Sequence, residues 1–312
     1  MKKIFRELYR LIIPFWVRRR IRGIVIAPSF YKRMIDECEE VYYARYSAER
    51  AGKTWWPEAE ARKAAHILDK GLQRDDVSPG HGAQIASSLE RNIKLIGGED
   101  KKKTTVVWSS EILEDYNQLQ IGQLAQPRGA SFVNPEVDYE LLFRLQETRR
   151  SIRSFKKGAL SRESIEKVLD ASLHAPHSCN RQAIASFVSM EENMVKKCLG
   201  LNNGATGISG QPQAFISFCS DLRCYDLPKE QSLPTLDTAL GVQNSVLAAH
   251  SLSLGLTLLN WSHATPAQER NLRDLLKIPP YYKIIINAAL GLPRKGAPVP
   301  VKKTEERFWV EG

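Results

Sequence analysis

The sequence predicts an α+β protein, with a helical first part and a second part in which helices and strands alternate. Three observations predict it. Apolar residues recur at a spacing near 3.6 over residues 57–72 and 82–96, the period of a helix with one buried face. Short apolar runs at 183–190, 214–219, 256–261 and 283–290 read as strands. Between the two parts, Gly97-Gly98, Lys101-Lys102-Lys103, Gln126-Pro127-Arg128-Gly129 and Asn134-Pro135 interrupt any regular pattern. The chain has 312 residues, 43% of them hydrophobic, which suits one large or two medium domains with a real core. The expected organisation is a basic amphipathic arm over 1–33, a helical extension over 34–135 and a further domain over 136–312.

The elements follow in order. Pro57 suits the first turn of the helix over 57–72, and Gly71 suits its C-terminal end. A helix over 136–149 follows Asn134-Pro135. Ser161 is a plausible N-cap for a helix with Ile165, Val168, Leu169 and Leu173 on one face, stopping before Pro176. Residues 235–254 form a long, mostly apolar helix that should be buried on most sides. Thr265-Pro266-Ala267-Gln268 is a capping box with proline at the first helical position, opening a helix to about Lys277. The strand over 283–290 ends at Gly291.

Charge is unevenly distributed. Residues 1–33 hold ten Lys or Arg against one acid, Glu7, so they carry nine of the ten net positive charges of the chain. The remaining residues are close to neutral, which argues against nucleic acid as a partner of the body. The arm interleaves its charge with Phe5, Leu8, Leu11, Phe15 and Trp16, but the apolar run is too short to span a bilayer. Two readings stay open: contact with an anionic membrane surface, or packing on the protein body with Pro14 breaking the helix. The five cysteines form no CxxC pair and read as reduced thiols of a cytoplasmic protein, peripheral at the inner face of the membrane if the arm binds lipid. His174 and His177 lack ligand partners at metal spacing, so no metal is expected.

One stretch points to chemistry. Thr148-Arg149-Arg150-Ser151-Ile152-Arg153-Ser154-Phe155 gathers guanidinium forks and hydroxyls that match phosphate oxygens. As residues alone, it suits a solvated basic helix end equally well. No glycine-rich dinucleotide fingerprint, P-loop or nucleophile elbow is present. In the first part, His66, Asp69 and Lys70 can share a helix face near the capping Gly71.

The arginine stretch resembles the opening Arg-x-Ser-x-Arg/Lys motif of the FMN-dependent nitroreductase family. Three further pieces come in the family's order: Ala175-Pro176-His177-Ser178-Cys179-Asn180-Arg181-Gln182, the long helix from Asp237 to Gly255-Leu256, and Ala288-Ala289-Leu290-Gly291-Leu292-Pro293 with Lys302-Lys303 beyond. The resemblance covers roughly residues 136–305. In the extension, His66-Ile67-Leu68-Asp69-Lys70-Gly71-Leu72 with Pro79-Gly80-His81-Gly82 is similar to the extension of nitroreductase-like proteins associated with polysaccharide biosynthesis.

The resemblance implies a nitroreductase-like fold, with a central, mostly antiparallel sheet flanked by helices, and a homodimer with FMN at the interface. Arg149, Arg150 and Ser151, with Lys302 or Lys303, would hold the phosphate and ribityl chain, and Arg153 would lie at the flavin N1/O2 edge. Pro176, His177, Ser178 and Asn180 would reach the flavin from the other subunit. Ser262 or His263 would supply a backbone N–H to N5, and His66 would be a proton donor. The implied activity passes hydride from NAD(P)H through FMN to a small-molecule acceptor, in surface-polysaccharide biosynthesis. The alternative is a binding or assembly component of a glycan pathway that keeps the fold and is recruited to a membrane-bound glycan enzyme through the arm. Three departures from the family pattern bear on this choice: His177 at a usual serine, Ala183-Ile184 after Gln182 where Pro-Trp is common, and Leu259-Asn260-Trp261-Ser262-His263 in the loop.

Overall fold

The computed structural model describes residues 56–96, 104–123, 136, 138–227 and 229–301. The basic arm over 1–33, Cys38, the expected loop at 97–103, the breakers over 126–135 and Lys302-Lys303 lie outside these residues. The described helices and strands belong to one compact unit, Trp56–Cys224 with Ser232–Gly312. Tyr225–Gln231 is assigned to a second unit, within which the Asp226 N–H donates to the Glu230 carboxylate at 2.7 Å.

Three helices build the first part: α1 (Pro57–Leu72), α2 (Ala83–Ile96) and α3 (Thr104–Gln120). α1 buries Ala61, Ala64 and Ala65, whose small side chains let its neighbours approach closely, and Leu68 and Leu72 extend the same face. Leu89, Ile112, Tyr116 and Leu119 complete this core. Gly71 admits the His81 imidazole, whose Cδ2 would lie 3.4 Å from any Cβ there, and the Gly80 N–H donates to Gln120 Oε1 at 2.7 Å. Glycine and histidine of the Gly71…His81 pattern are thus partners in the α1–α2 turn. Sequence reading did not identify α3. It carries Val106, Val107 and Trp108 on successive positions and buries Ser109 amid its apolar face, so no clear stripe is visible.

The second part is a four-stranded, wholly antiparallel sheet of β1 (Ile184–Ser189), β2 (Ala214–Asp221), β3 (Gly255–Leu259) and β4 (Tyr282–Gly291), in the order β1-β2-β4-β3. Its helices are α4 (Tyr139–Thr148), α5 (Arg162–Leu173), α6 (Glu192–Gly200), α7 (Leu233–Ser251) and α8 (Pro266–Leu276). All eight residues of β2 are buried, because helices cover both faces of the sheet. Ala214, Ile216 and Phe218 point to the layer of α5 and α7 with Val168, Val242 and Val246; Phe215 and Cys219 point to the layer of α6 and α8 with Val195 and Leu272. Gly241 lets α7 close on α5, where a Cβ would stand 2.7 Å from the Ser172 carbonyl oxygen.

Two N-caps match their sequence signals, whereas Gly71, expected as a C-cap, lies inside α1, whose C-cap is Gln73. Ser161 Oγ accepts the Ser164 N–H at 3.1 Å, and Thr265 with Gln268 forms the reciprocal capping box. α6 was not identified from sequence. It is nine residues long and capped by Glu191, whose carboxylate accepts the Asn193 and Met194 N–H groups, rather than by a common short cap residue. The expectation for the long helix needs correction. α7 buries Asp237, Thr238, Gly241, Val242, Ser245, Val246 and Ala249, but Leu236 and Leu240 on its other side are 52% and 41% exposed. Beside it, α4 buries no residue and exposes Leu141, Leu142 and Phe143.

Two contacts fasten α1 to the sheet part. Arg62 Nε donates to the buried Arg181 carbonyl at 2.8 Å. The Arg223 guanidinium lies between the Trp56 and Tyr281 rings, 3.6 and 3.5 Å from their centroids, while pairing with Asp221 at 2.7 Å.

Among the described residues, no helix is long and apolar enough to cross a membrane, and no group of three metal-ligating side chains occurs. Cys179, Cys198, Cys219 and Cys224 are free.

Candidate functional site

The arginine segment leaves α4 and is fixed by backbone hydrogen bonds on several sides. Arg149 is the C-cap of α4, its N–H donating to the Leu145 carbonyl. The Ile152 N–H donates to Leu256, Phe155 to Ser209 and Lys156 to Leu292, while Ser209 donates back to Arg153 at 2.8 Å. Ile152 lies against Gly255, where a Cβ would meet its Cγ2 at 2.7 Å, and Ser154 is buried. Ser151 is half-buried and Arg153 is exposed. Arg150 turns back: its Nη1 donates to the carbonyls of Glu147 and Arg149, so part of its guanidinium closes the end of α4. Thr148 Oγ1 lies 2.9 Å from His250 Nε2 on α7. Burial lowers the His250 pKa, and the charges of Arg149 and Arg150 lower it further.

A turn over 202–209 joins this segment to the loop after β3. At one end, Gly207 faces Arg153, whose Cδ would lie 3.6 Å from a Cβ there. At the other, Gly204 meets the loop backbone so closely that a Cβ would stand 2.6 Å from Asn260 N, and Asn203 Nδ2 donates to the His263 carbonyl. Asn260 Oδ1 accepts both the N–H and the Oγ–H of Ser262, at 3.0 and 2.8 Å, which fixes the loop by a local side-chain turn. The turn thus runs beside the edge strand β3, with Arg153 near one end of that strand and Ser262–His263 following its other end. The Ser262 N–H is engaged by Asn260, and the His263 N–H makes no hydrogen bond among the described residues.

Pro176–Gln182 forms a separate, strained turn. Cys179, Asn180 and Gln182 have φ of 50°, 51° and 53°, each costing on the order of 1 kcal/mol for a residue with a Cβ. Asp237, 1% exposed on α7, holds the turn by accepting the Ser178 N–H and, at 2.8 Å, its hydroxyl. Arg62 holds it from the other side through the Arg181 carbonyl. His177 sits between, and neither ring nitrogen makes a hydrogen bond of standard geometry. Burial pushes its pKa down against the pull of Asp237, and Arg62 adds to the depression. His66 lies one turn beyond Arg62 on the same side of α1. Burial lowers its pKa, as does Lys70, with Asp69 opposing.

The two groups of residues lie at opposite ends of α7: Asp237 holds the Ser178 turn, and His250 meets Thr148 beside Arg149. Thirteen residues at 1.5 Å per residue separate these anchors by about 20 Å. Sequence reading singled out neither Asp237, Arg62 nor Asn260 as the residue that sets its turn. An aspartate in an otherwise apolar stretch was the available signal for the first.

The Nitroreductase family profile matches residues 147–205, which include both the arginine segment and the Ser178 turn. A protein of Methanothermobacter thermautotrophicus, named as a candidate NADH dehydrogenase/NAD(P)H nitroreductase, is 29% identical over 149 residues, covering 47% of this chain and 74% of its own. A like-named protein of Archaeoglobus fulgidus is 32% identical over 151 residues, covering 47% and 82%. Among solved structures, a nitroreductase with bound FMN from Bacteroides fragilis aligns with a TM-score of 0.45 at 18% identity, over 55% of this chain and 98% of that one. Shared identity at this level over most of the Archaeoglobus protein establishes that the chain belongs to the nitroreductase family.

Proposed function

We propose that the chain is an FMN-dependent oxidoreductase that takes hydride from NAD(P)H and delivers it to a small-molecule acceptor, as a homodimer with FMN at the interface. The observation that carries this reading is the division of the donor groups between the two ends of α7, about 20 Å apart. One chain does not unite them. Two α7 helices paired antiparallel about a twofold axis bring the Ser178 end of one subunit beside the Arg149 end of the other. Leu236 and Leu240, exposed on α7, and Leu141, Leu142 and Phe143, exposed on α4, offer the apolar surface that such pairing would bury.

The residues fit FMN. Arg149 and Ser151 offer the fork and hydroxyl suited to a phosphate and ribityl chain, joined by Lys302 or Lys303. Pro176, His177, Ser178 and Asn180 would reach the cofactor from the other subunit, as the resemblance of this turn to the family motif implies. Bound there, FMN supplies the hydride relay between nicotinamide and acceptor. Arg153 would provide fixed positive charge to the flavin ring, which gathers negative charge on reduction. Of the two candidate backbone donors to N5, the His263 N–H is favoured, since Asn260 occupies that of Ser262. Arg150 contributes charge but keeps α4 closed. His66 serves as the proton donor; its lowered pKa makes it the stronger acid yet mostly neutral at pH 7, so this role strengthens as pH falls.

The similarity of the His66–Leu72 and Pro79–Gly82 segments to the extension of polysaccharide-associated nitroreductase-like proteins supports a place in surface-polysaccharide biosynthesis, with the arm bringing the protein to an anionic membrane or a membrane-bound glycan enzyme. The packing of His81 over Gly71 makes the two segments one unit. His177 favours the second reading, an assembly component, because its half-buried imidazole fills volume that a serine would leave open.

The visible spectrum of the purified protein, before and after FMN and anaerobic NAD(P)H, tests both. A bound flavin band that bleaches with nicotinamide is expected. Absence of bound flavin after FMN is supplied overturns the oxidoreductase reading and leaves the assembly component.

A further inference from the structure

Just past the arginine segment in the chain, residues 155–157, the 210–212 turn and one face of α6 enclose a groove of about 580 Å³. It is continuous through Lys157, Glu192, Gln211 and Pro212 with a second hollow of about 440 Å³. Volumes of this size hold small organic ligands.

The groove has a rigid build. Gly210, at φ +77°, lies so close to Phe155 that no Cβ is tolerated. Gln213 ties the parts together, donating to the carbonyls of Lys156 and Gln211 and accepting the Leu292 N–H at 2.7 Å. Phe155, Val195, Leu199 and Pro212 give it apolar walls. Positions 192, 195, 196 and 199 share one face of α6, so Lys196 rises beside Val195 and Leu199.

The charge around it is one-sided. Lys156, Lys157, Lys196 and Arg294 line the groove against a single carboxylate, Glu192. Among the described residues, none of the four cations makes an ion pair; Arg294 reaches only the hydroxyls of Ser154 and Ser209, at 2.9 and 3.3 Å. Uncompensated positive charge gathered in a body of nearly zero net charge is destabilising in the free protein and is relieved by a bound anion. Neither Arg149, Ser151 nor Arg153 lines the groove or the adjoining hollow, so this charge is distinct from the proposed flavin clamp.

We propose that this groove is a second anion site, taking the pyrophosphate or phosphate group of a small organic ligand whose carbon body rests on Val195, Leu199 and Pro212. Lysine ammonium groups act as point-charge phosphate binders, and the apolar walls favour an ester over the bare ion. The proposal does not depend on flavin binding. The ligand is either the diphosphate tail of the nicotinamide nucleotide or a separate phosphate ester, and the same experiment distinguishes them.

The test is calorimetric titration of inorganic pyrophosphate and of ADP into the full chain, and into its K156Q/K196Q and Arg149→Ala variants. Both side chains changed in the double variant are exposed, so folding should survive; circular dichroism and the thermal midpoint check this. The expected result is saturable binding, tighter for ADP, that weakens at least roughly tenfold in K156Q/K196Q and persists in Arg149→Ala, losing two charge-assisted contacts in the first case only. ADP competing with NAD(P)H in turnover assigns the groove to the nucleotide tail; binding without competition assigns it to a separate ligand. Absence of saturable binding, binding indifferent to K156Q/K196Q, or binding lost only in Arg149→Ala overturns the proposal.

Discussion

Replacing Asp237 by asparagine should loosen the Ser178 turn while leaving its volume unchanged. The Asp237 carboxylate accepts two hydrogen bonds from Ser178, and its residue is 1% exposed. A hydrogen bond to a charged group contributes about 1.5–3 kcal/mol and a neutral one about 0.5–1.5, so neutralising the acceptor of two bonds costs about 2 kcal/mol in all. Three residues at positive φ oppose that restraint, which makes the turn the first place to relax. With an unfolding entropy of about 2.1 cal/mol/K per residue, 1 kcal/mol moves the melting temperature of this 312-residue chain by about 1.5 °C, so Asp237→Asn should melt about 3 °C below the wild type. The same relaxation should weaken FMN several-fold, because Pro176–Asn180 is where the second subunit meets the cofactor in our reading. Differential scanning fluorimetry and FMN fluorescence quenching measure the two effects. A variant that melts within about 1 °C of wild type and binds FMN equally well refutes the argument that Asp237 holds this turn.

Other outcomes rest on the same geometry. His66, His177 and His250 all have pKa values below the ordinary 6.5, each mainly through burial. Such groups bind protons more readily in the unfolded chain, so their stabilisation is complete above about pH 6.5 and is lost as pH falls towards the folded values; melting at pH 7.5 and 5.5 should show a lower midpoint at pH 5.5, and His177→Asn should reduce the difference. Leu240→Glu places a charge on the exposed stripe of α7 and should shift sedimentation from dimer to monomer while leaving circular dichroism unchanged. Arg149→Ala should lower FMN affinity at least roughly tenfold, as a charge-assisted phosphate contact disappears; unchanged affinity would remove Arg149 from the clamp. Asn260→Ala frees the Ser262 N–H and loosens the loop, so kcat should fall more than KM rises; equal rates would show that Asn260 does not set the donor.

How far the sequence reveals this molecule depends on whether a signal is local. The strands and the capped helices α5 and α8 are legible because alternation, Ser161 and the Thr265–Gln268 box act within a few residues. α3 and α6 are not, since one hides its buried face behind Val107 and Trp108 and the other is capped by a glutamate. Arg149, Ser151 and Ser178 announce themselves as motifs. The groups that fix those motifs act across 59 residues from Asp237 to Ser178, or 119 from Arg62 to Arg181, and carry no local pattern. The exposed side of α7 is ambiguous for a related reason: its apolar residues look the same whether the chain itself or a second copy covers them.

The stacking of Arg223 between Trp56 and Tyr281, together with the Arg62 contact, means that the stretch before residue 136 cannot be removed without wounding the sheet part. A fragment starting at Glu136 would present a bare guanidinium face and an Arg181 carbonyl that has lost its donor, directly beneath the strained Ser178 turn. The segment that looks like an appendage in the sequence therefore acts as a keel: shortening the protein to its family-like portion should yield a chain that aggregates, whatever its intrinsic chemistry.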